Sequence, residues 1–205
     1  YADMAEGRNY GQRDIRDVRE GVDYLIAQGI ADPDGVGVTG CSYGGYFTLQ
    51  SLVEFPDVYK AGNTQCSLND ILYEYNFGWA YFMGYLMGRS PIQDPAEYVN
   101  DSPQYRAYQV KSPLLVFHGT NDFLPHEHMA NFHDQVVANA VPARFLRVLG
   151  EGHGFGNTNS QKYAAQLQID WFRRYLGGGG SVLDAVAWPG QPVLPRTIGQ
   201  AEVTW

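Results

Sequence analysis

The sequence predicts an α/β fold, a parallel sheet flanked by helices, and three observations carry that reading. Short apolar runs alternate along the chain with segments of helical period. One of those runs, Leu114 to Phe117, is apolar without a break, as expected of a parallel strand buried on both faces. The residues best suited to chemistry each stand just past the end of such a run, where open α/β sheets build their sites.

The elements follow in order. Between Gly11 and Gln28, apolar residues recur at Ile15, Val18, Val22, Leu25 and Ile26, which places them on one face of a helix. Asp32-Pro33-Asp34-Gly35 forms a turn, after which Val36 to Thr39 reads as a short buried strand. Tyr46 to Glu54 is a helix stopped by Pro56, and Ala61 to Cys66 is the next candidate strand. The segment Ile71 to Met87 is rich in aromatic residues and has no clean period, so it is expected as irregular helix over a pocket. Strand Leu114 to Phe117, helix His126 to Asn139, strand Arg144 to Leu149 and helix Gln161 to Leu176 complete the alternation. Gly177 to Gly180 ends the last helix and opens a tail containing Pro189, Pro192 and Pro195, expected as a linker or as an extended segment lying on the body. The domain reading is therefore a catalytic unit over 1–176 and a Gly/Pro-containing tail over 177–205.

Composition bounds the partners. With 205 residues, 44% of them hydrophobic and 18% charged, the chain holds enough apolar material for one packed unit. A net charge of -8 offers no electrostatic footprint for nucleic acid or an anionic membrane, so small molecules or peptides are the expected partners. No apolar run approaches the roughly 20 residues that cross a bilayer, and the opening YADMAEGRNY lacks the order of a signal peptide. The segment reads as soluble, with its compartment open. Because the chain opens on Tyr1 rather than methionine, processing or an upstream region is expected. Cys41 and Cys66 make no disulfide framework and are expected as small core thiols.

Gly40-Cys41-Ser42-Tyr43-Gly44 fits G-x-S-x-G between a strand and a helix, the context of the nucleophile elbow of the α/β-hydrolase fold. The turn is so sharp that the nucleophile is held in a strained backbone conformation, and Gly40 and Gly44 are expected to leave room for the neighbouring helix and strand, with Gly45 adding slack. Cys41 is the rival nucleophile, but its neighbours two positions away are Thr39 and Tyr43 rather than glycines, which centres the elbow on Ser42. A serine hydroxyl needs a base, and the base an orienting acid, in the chain order Ser, Asp or Glu, His. Asp122 follows the strand Leu114 to Phe117 in His118-Gly119-Thr120-Asn121-Asp122, and His153 follows the strand Arg144 to Leu149 in Gly150-Glu151-Gly152-His153-Gly154. Glu151 is a possible second acid. His126 and His128 lack metal-ligand spacing and are expected at the surface, His118 in the turn beneath Asp122, and His133 on a helix face. No metal site and no cofactor are expected.

These residues resemble a known family. The runs Asp14 to Gly45, Ser112 to Asp122 and Gly150 to Phe155 are similar to the catalytic domain of the prolyl oligopeptidase family of serine peptidases, peptidase family S9. The likeness covers about Asp14 to Leu176, with Asp122 standing 80 positions after Ser42 and His153 31 after Asp122. It implies cleavage of short peptides, acyl-peptides or amides through an acyl-enzyme. Ser42 would be the nucleophile, His153 the base, Asp122 the acid and the Tyr43 amide one oxyanion-hole donor. Tyr73, Tyr75, Phe77, Trp79 and Phe123 would be candidates for an apolar substrate pocket, with core packing as the plain alternative. The resemblance also implies further strands before the first helix, carrying the second oxyanion donor, and a preceding β-propeller; this chain shows neither, so its sheet is expected to lack its N-terminal strands. A carboxylesterase on the same fold, or a catalytically incomplete fragment that needs the missing strands, are the competing readings.

Overall fold

The computed structural model of the chain describes residues 10–177 and, for their backbone, 199–203. Helix α1 (Arg13–Ala27) leads into strand β1 (Gly37–Cys41), helix α2 (Tyr43–Glu54) and strand β2 (Ala61–Gln65). The aromatic segment forms α3 (Ile71–Glu74), a π-helical turn (Tyr75–Trp79) and α4 (Ala80–Met87), followed by α5 (Pro95–Asn100) and a 3-10 segment (Pro103–Gln109). Strand β3 (Leu114–Gly119), helix α6 (His126–Ala138), strand β4 (Ala143–Val148), helix α7 (Thr158–Tyr175) and strand β5 (Gly199–Val203) complete the order. All pairings are parallel and the strands lie side by side in chain order, β1-β2-β3-β4-β5. The tail reading of 177–205 falls largely outside the described residues; Gly199–Val203 adds β5 beside β4.

Side-chain alternation along β3 divides the core into two layers. Leu114 and Val116 face Leu49, Leu52 and Val53 of α2 and Met129, Phe132 and Val136 of α6. Leu115 and Phe117 face Tyr163, Ala164 and Leu167 of α7 on the other side. Every residue of β3 is buried, as its unbroken apolar run predicts. His133, expected on a helix face, is buried against the Phe145 ring, and His128 lies half-buried under Tyr73 rather than out on the surface.

The opposite end of the sheet is less covered. Among the described residues strand β1 has a neighbour on one side only, and its residues Thr39 and Cys41 are exposed. On α1 the apolar stripe is buried only in part: Ile15 is inside and Val22 packs on the core, while Val18 and Leu25 are 46% and 41% exposed. A helix that writes an apolar face and leaves half of it in solvent, beside an open strand edge, is what a sheet lacking its N-terminal strands leaves behind.

The cysteines correct the sequence reading. Cys41 at the end of β1 and Cys66 just past β2 form a disulfide, with their Cα atoms 5.3 Å apart, rather than two core thiols. Cys41 pairs in register with Gln65, so adjacent parallel strands bring the two sulfurs together at the carboxyl edge of the sheet. Their separation of 25 positions hid the pairing from a reading of the sequence alone.

Candidate active site

Ser42 sits between β1 and α2 with φ 60° and ψ -123°, a conformation that non-glycine residues rarely hold. Neighbouring backbone fixes it: the Ser42 amide donates to Gln65 O of β2 at 3.1 Å, and its own carbonyl accepts from Tyr46 N at 3.0 Å. The glycines that permit the turn are not quite the expected pair. A Cβ on Gly40 would lie 2.3 Å from Gly44 O, and one on Gly45 would lie 2.6 Å from Gln65 O and 2.8 Å from Ser67 Cβ. A Cβ on Gly44 would meet nothing within 4 Å among the described residues. The close approach to β2 is thus made at Gly45, one position later than the five-letter motif suggests.

Asp122 stands in the loop after β3 with its side chain fully buried. Its Oδ1 accepts from Leu124 N at 2.9 Å and lies 2.9 Å from His153 Nδ1; its Oδ2 lies 3.1 Å from both His153 Nδ1 and His118 Nε2. Burial alone would push the carboxyl pKa up. Hydrogen bonds from His118, the Leu124 amide and His153, with the charge of His118, outweigh it and hold the pKa below the ordinary carboxylate value. With Nδ1 turned to Asp122, the other ring nitrogen of His153 is free for a substrate or a nucleophile. A ring nitrogen of His153 and the Sγ atoms of Cys41 and Cys66 all lie within 4.8 Å of one another, so the imidazole is held at the elbow, against the residue preceding Ser42.

Two supporting devices escaped the sequence reading. His118, fully buried, braces Asp122 and the Leu124 carbonyl, which lies 3.0 Å from its Nε2. Glu151 is not a second acid for His153. Its carboxylate accepts from Gly156 N at 2.6 Å and Asn157 N at 3.1 Å, tying down the loop that leads into α7, whose N-cap is Asn157. Burial raises its pKa, but hydrogen bonds from Ser160 and from the Gly156 and Asn157 amides pull it below the ordinary value. The acid loop and base loop are also laced together, Asn121 N donating to Glu151 O at 2.8 Å and Gly150 N to Thr120 Oγ1 at 2.9 Å. The two loops approach so closely that a Cβ on Gly119 would lie 2.2 Å from Glu151 O.

The candidate pocket residues divide. Phe123 packs its ring 4.3 Å from His153 and 5.8 Å from Trp79, and Tyr73 stacks on Phe77 at 4.9 Å. Phe77, Trp79 and Phe123 are exposed and Tyr73 is half-buried, so four of the five form two accessible aromatic pairs, Phe123 with Trp79 beside the imidazole and Tyr73 with Phe77 against His128. Tyr75 turns instead to the core, edge-on to Tyr98. The Tyr43 side chain is anchored away from the elbow by donating to the Asp14 carboxylate, while its ring packs with Tyr10 and Tyr46.

A profile of the prolyl oligopeptidase family matches residues 2–179 of this chain. The chain belongs to the prolyl oligopeptidase family. Within that family it is 32% identical over 203 residues to dipeptidyl aminopeptidase BIII of Pseudoxanthomonas mexicana, an alignment covering 89% of this chain and 29% of that protein. It is 26% identical over 176 residues to an acylamino-acid-releasing enzyme of Arabidopsis thaliana, covering 80% of this chain and 23% of the relative. Among solved structures it superposes on a puromycin hydrolase with a TM-score of 0.79 at 28% identity, over 93% of this chain and 28% of the other. An acylaminoacyl peptidase of Pyrococcus horikoshii gives 0.76 at 25% identity, over 84% and 29%. The chain thus spans about a quarter of the length of the prolyl oligopeptidase relatives it matches. The α/β-hydrolase fold follows from these matches. No helix among the described residues is long and apolar enough to cross a membrane.

Proposed function

We propose that this chain is the catalytic end of a serine peptidase that cleaves short peptides, acyl-peptides or related amides, with Ser42 as nucleophile, His153 as general base and Asp122 as orienting acid. One observation carries the reading: the imidazole whose Nδ1 is bonded to the buried Asp122 lies against the residue preceding a serine held at positive φ. In the first half-reaction His153 Nε2 takes the Ser42 proton as Oγ attacks the carbonyl, and it returns that proton to the leaving amine. Water then repeats the sequence on the acyl-enzyme. Asp122 stays ionised throughout, and its depressed pKa serves that role by stabilising the imidazolium at each transfer. The Tyr43 amide, at the first turn of α2, supplies one oxyanion donor, a contribution of about 2.7 to 4 kcal/mol.

The aromatic surface of Phe123, Trp79, Phe77 and Tyr73 would receive an apolar side chain next to the scissile bond. The second oxyanion donor and the cover over the aromatic surface are assigned to an N-terminal region, of the β-propeller kind that the resemblance implies; the greater length of the relatives supports this. The test is hydrolysis of aminoacyl-p-nitroanilides against p-nitrophenyl esters by the protein that carries this chain, with Ser42→Ala beside it. Amide cleavage that disappears in the variant is expected. Ester cleavage alone would assign the site to a carboxylesterase.

A further inference from the structure

The disulfide is placed where a structural crosslink has consequences for the chemistry. Cys41 immediately precedes Ser42, and Cys66 follows the strand whose last residue, Gln65, accepts the Ser42 amide. Both sulfurs lie within 4.8 Å of a ring nitrogen of His153. Cys41 is exposed and Cys66 buried, so a reductant can reach the bond at Cys41. Opening the bond would leave both cysteine backbones in place, because they are held independently, and free only the side chains to turn. Cys41 is the last residue of β1, and the Cys66 amide donates to Phe117 O of β3 at 3.0 Å.

We propose that reduction of the Cys41–Cys66 disulfide creates an inhibitory site for a divalent metal of the zinc class, built from the two cysteine sulfurs and His153. A disulfide sulfur is a poor ligand, whereas a thiolate binds zinc strongly, so the site exists in one redox state only. The steps balance. A dithiol gives up two electrons and two protons to the disulfide, leaving an oxidised reductant and two cysteine thiols. The metal then displaces both thiol protons, and His153 contributes the lone pair of Nε2, since Nδ1 already faces Asp122.

Two thiolates and one imidazole make a three-ligand set whose fourth position is open to water or to Ser42. With zinc–sulfur bonds of about 2.3 Å and zinc–nitrogen bonds of about 2.0 Å, tetrahedral ligand atoms stand roughly 3.5 to 3.8 Å apart. The sulfurs must therefore separate from their covalent bond, while the imidazole needs to move by about 1 Å. Asp122 would serve the bound metal as it serves the base, orienting the ring through Nδ1. Inhibition follows directly: a lone pair on the metal cannot accept the Ser42 proton. This consequence rests on the hydrolase reading; the metal site itself does not.

The experiment uses the chain in its oxidised form and after reduction by a phosphine, which supplies the two electrons and takes its oxide oxygen from water, the water's two protons going to the thiols. Cobalt is titrated as a spectroscopic probe, and zinc is tested against the rate at which a fluorophosphonate labels Ser42. Reduced protein is expected to show thiolate-to-cobalt charge transfer that weakens in His153→Ala and is absent in the Cys41→Ser/Cys66→Ser double variant. Zinc near micromolar concentration should slow labelling of the reduced form by more than about tenfold, reversed by a chelator, and leave the oxidised form unchanged. Equal inhibition of both forms overturns the proposal, as does a reduced form without the cobalt band or one whose circular dichroism shows that it has unfolded. A cobalt band that depends on His153, in a chain that no fluorophosphonate labels in any state, would retain the metal site and overturn the hydrolase reading instead.

Discussion

Replacing Asp122 by asparagine tests the organisation of the site more sharply than any truncation, because it keeps the volume and removes one acceptor. In the native arrangement three N–H donors converge on two oxygens: Leu124 N and His153 on Oδ1, His118 and His153 on Oδ2. An asparagine offers one oxygen and one NH2. With the oxygen in the Oδ1 position, the NH2 faces His118 Nε2; with the amide flipped, it faces Leu124 N. His118 cannot resolve the conflict by changing tautomer, since its Nε2 would then turn a lone pair on Leu124 O. Either orientation leaves one buried donor unmatched, at about 1 to 3 kcal/mol of stability. The flipped form also presents a donor to His153 Nδ1 and favours the wrong tautomer, and the same exchange in trypsin-type triads lowers kcat by about 10^4-fold, or roughly 5 kcal/mol in activation free energy. The assay pairs urea unfolding with the rate of fluorophosphonate labelling of Ser42. Folded Asp122→Asn protein that labels within tenfold of the native rate would refute the role given to Asp122.

Other outcomes follow from particular environments. Burial, reinforced by Asp70 and Asp122, raises the Glu74 pKa from 4.5 to about 7. A raised carboxyl pKa means the folded chain keeps a proton that the unfolded chain has released, so stability should fall as pH rises between those values; Glu74→Gln should recover up to about 3 kcal/mol at pH 8 and almost none at pH 4, read by urea unfolding at both. Removing the Cys41–Cys66 crosslink, which closes a loop of 25 residues, should lower unfolding free energy by about 3 to 4 kcal/mol, checked by denaturation of the double serine variant. Gly45→Ala should destabilise by about 1 to 3 kcal/mol because its Cβ meets Gln65 O and Ser67 Cβ, whereas Gly44→Ala should be neutral or stabilising; thermal unfolding of the two variants separates them.

What the sequence disclosed follows a physical division. Strands and helices whose period matches their burial were readable: β3 reads as buried on both faces and is so. The order of Ser42, Asp122 and His153 past the ends of β1, β3 and β4 was readable for the same reason, since parallel strands deliver their carboxyl ends to one edge. Contacts made across that edge were not. The disulfide, the bracing of Asp122 by His118 and the use of Glu151 to hold the loop before α7 each depend on which loops touch, and spacing along the chain does not encode that. The aromatic segment was legible as irregular, but only the turn at Tyr75–Trp79, with Gly78 at φ 123°, decides that Tyr75 faces the core while Phe77 and Trp79 face out. The half-exposed stripe on α1 had a readable period and an unreadable partner.

The most direct test of the account is mass mapping of fluorophosphonate-treated protein. A single adduct on Ser42, lost in Ser42→Ala and slowed in His153→Ala, is the predicted result. Labelling that survives Ser42→Ala, or an untouched Ser42 in folded protein, would contradict it.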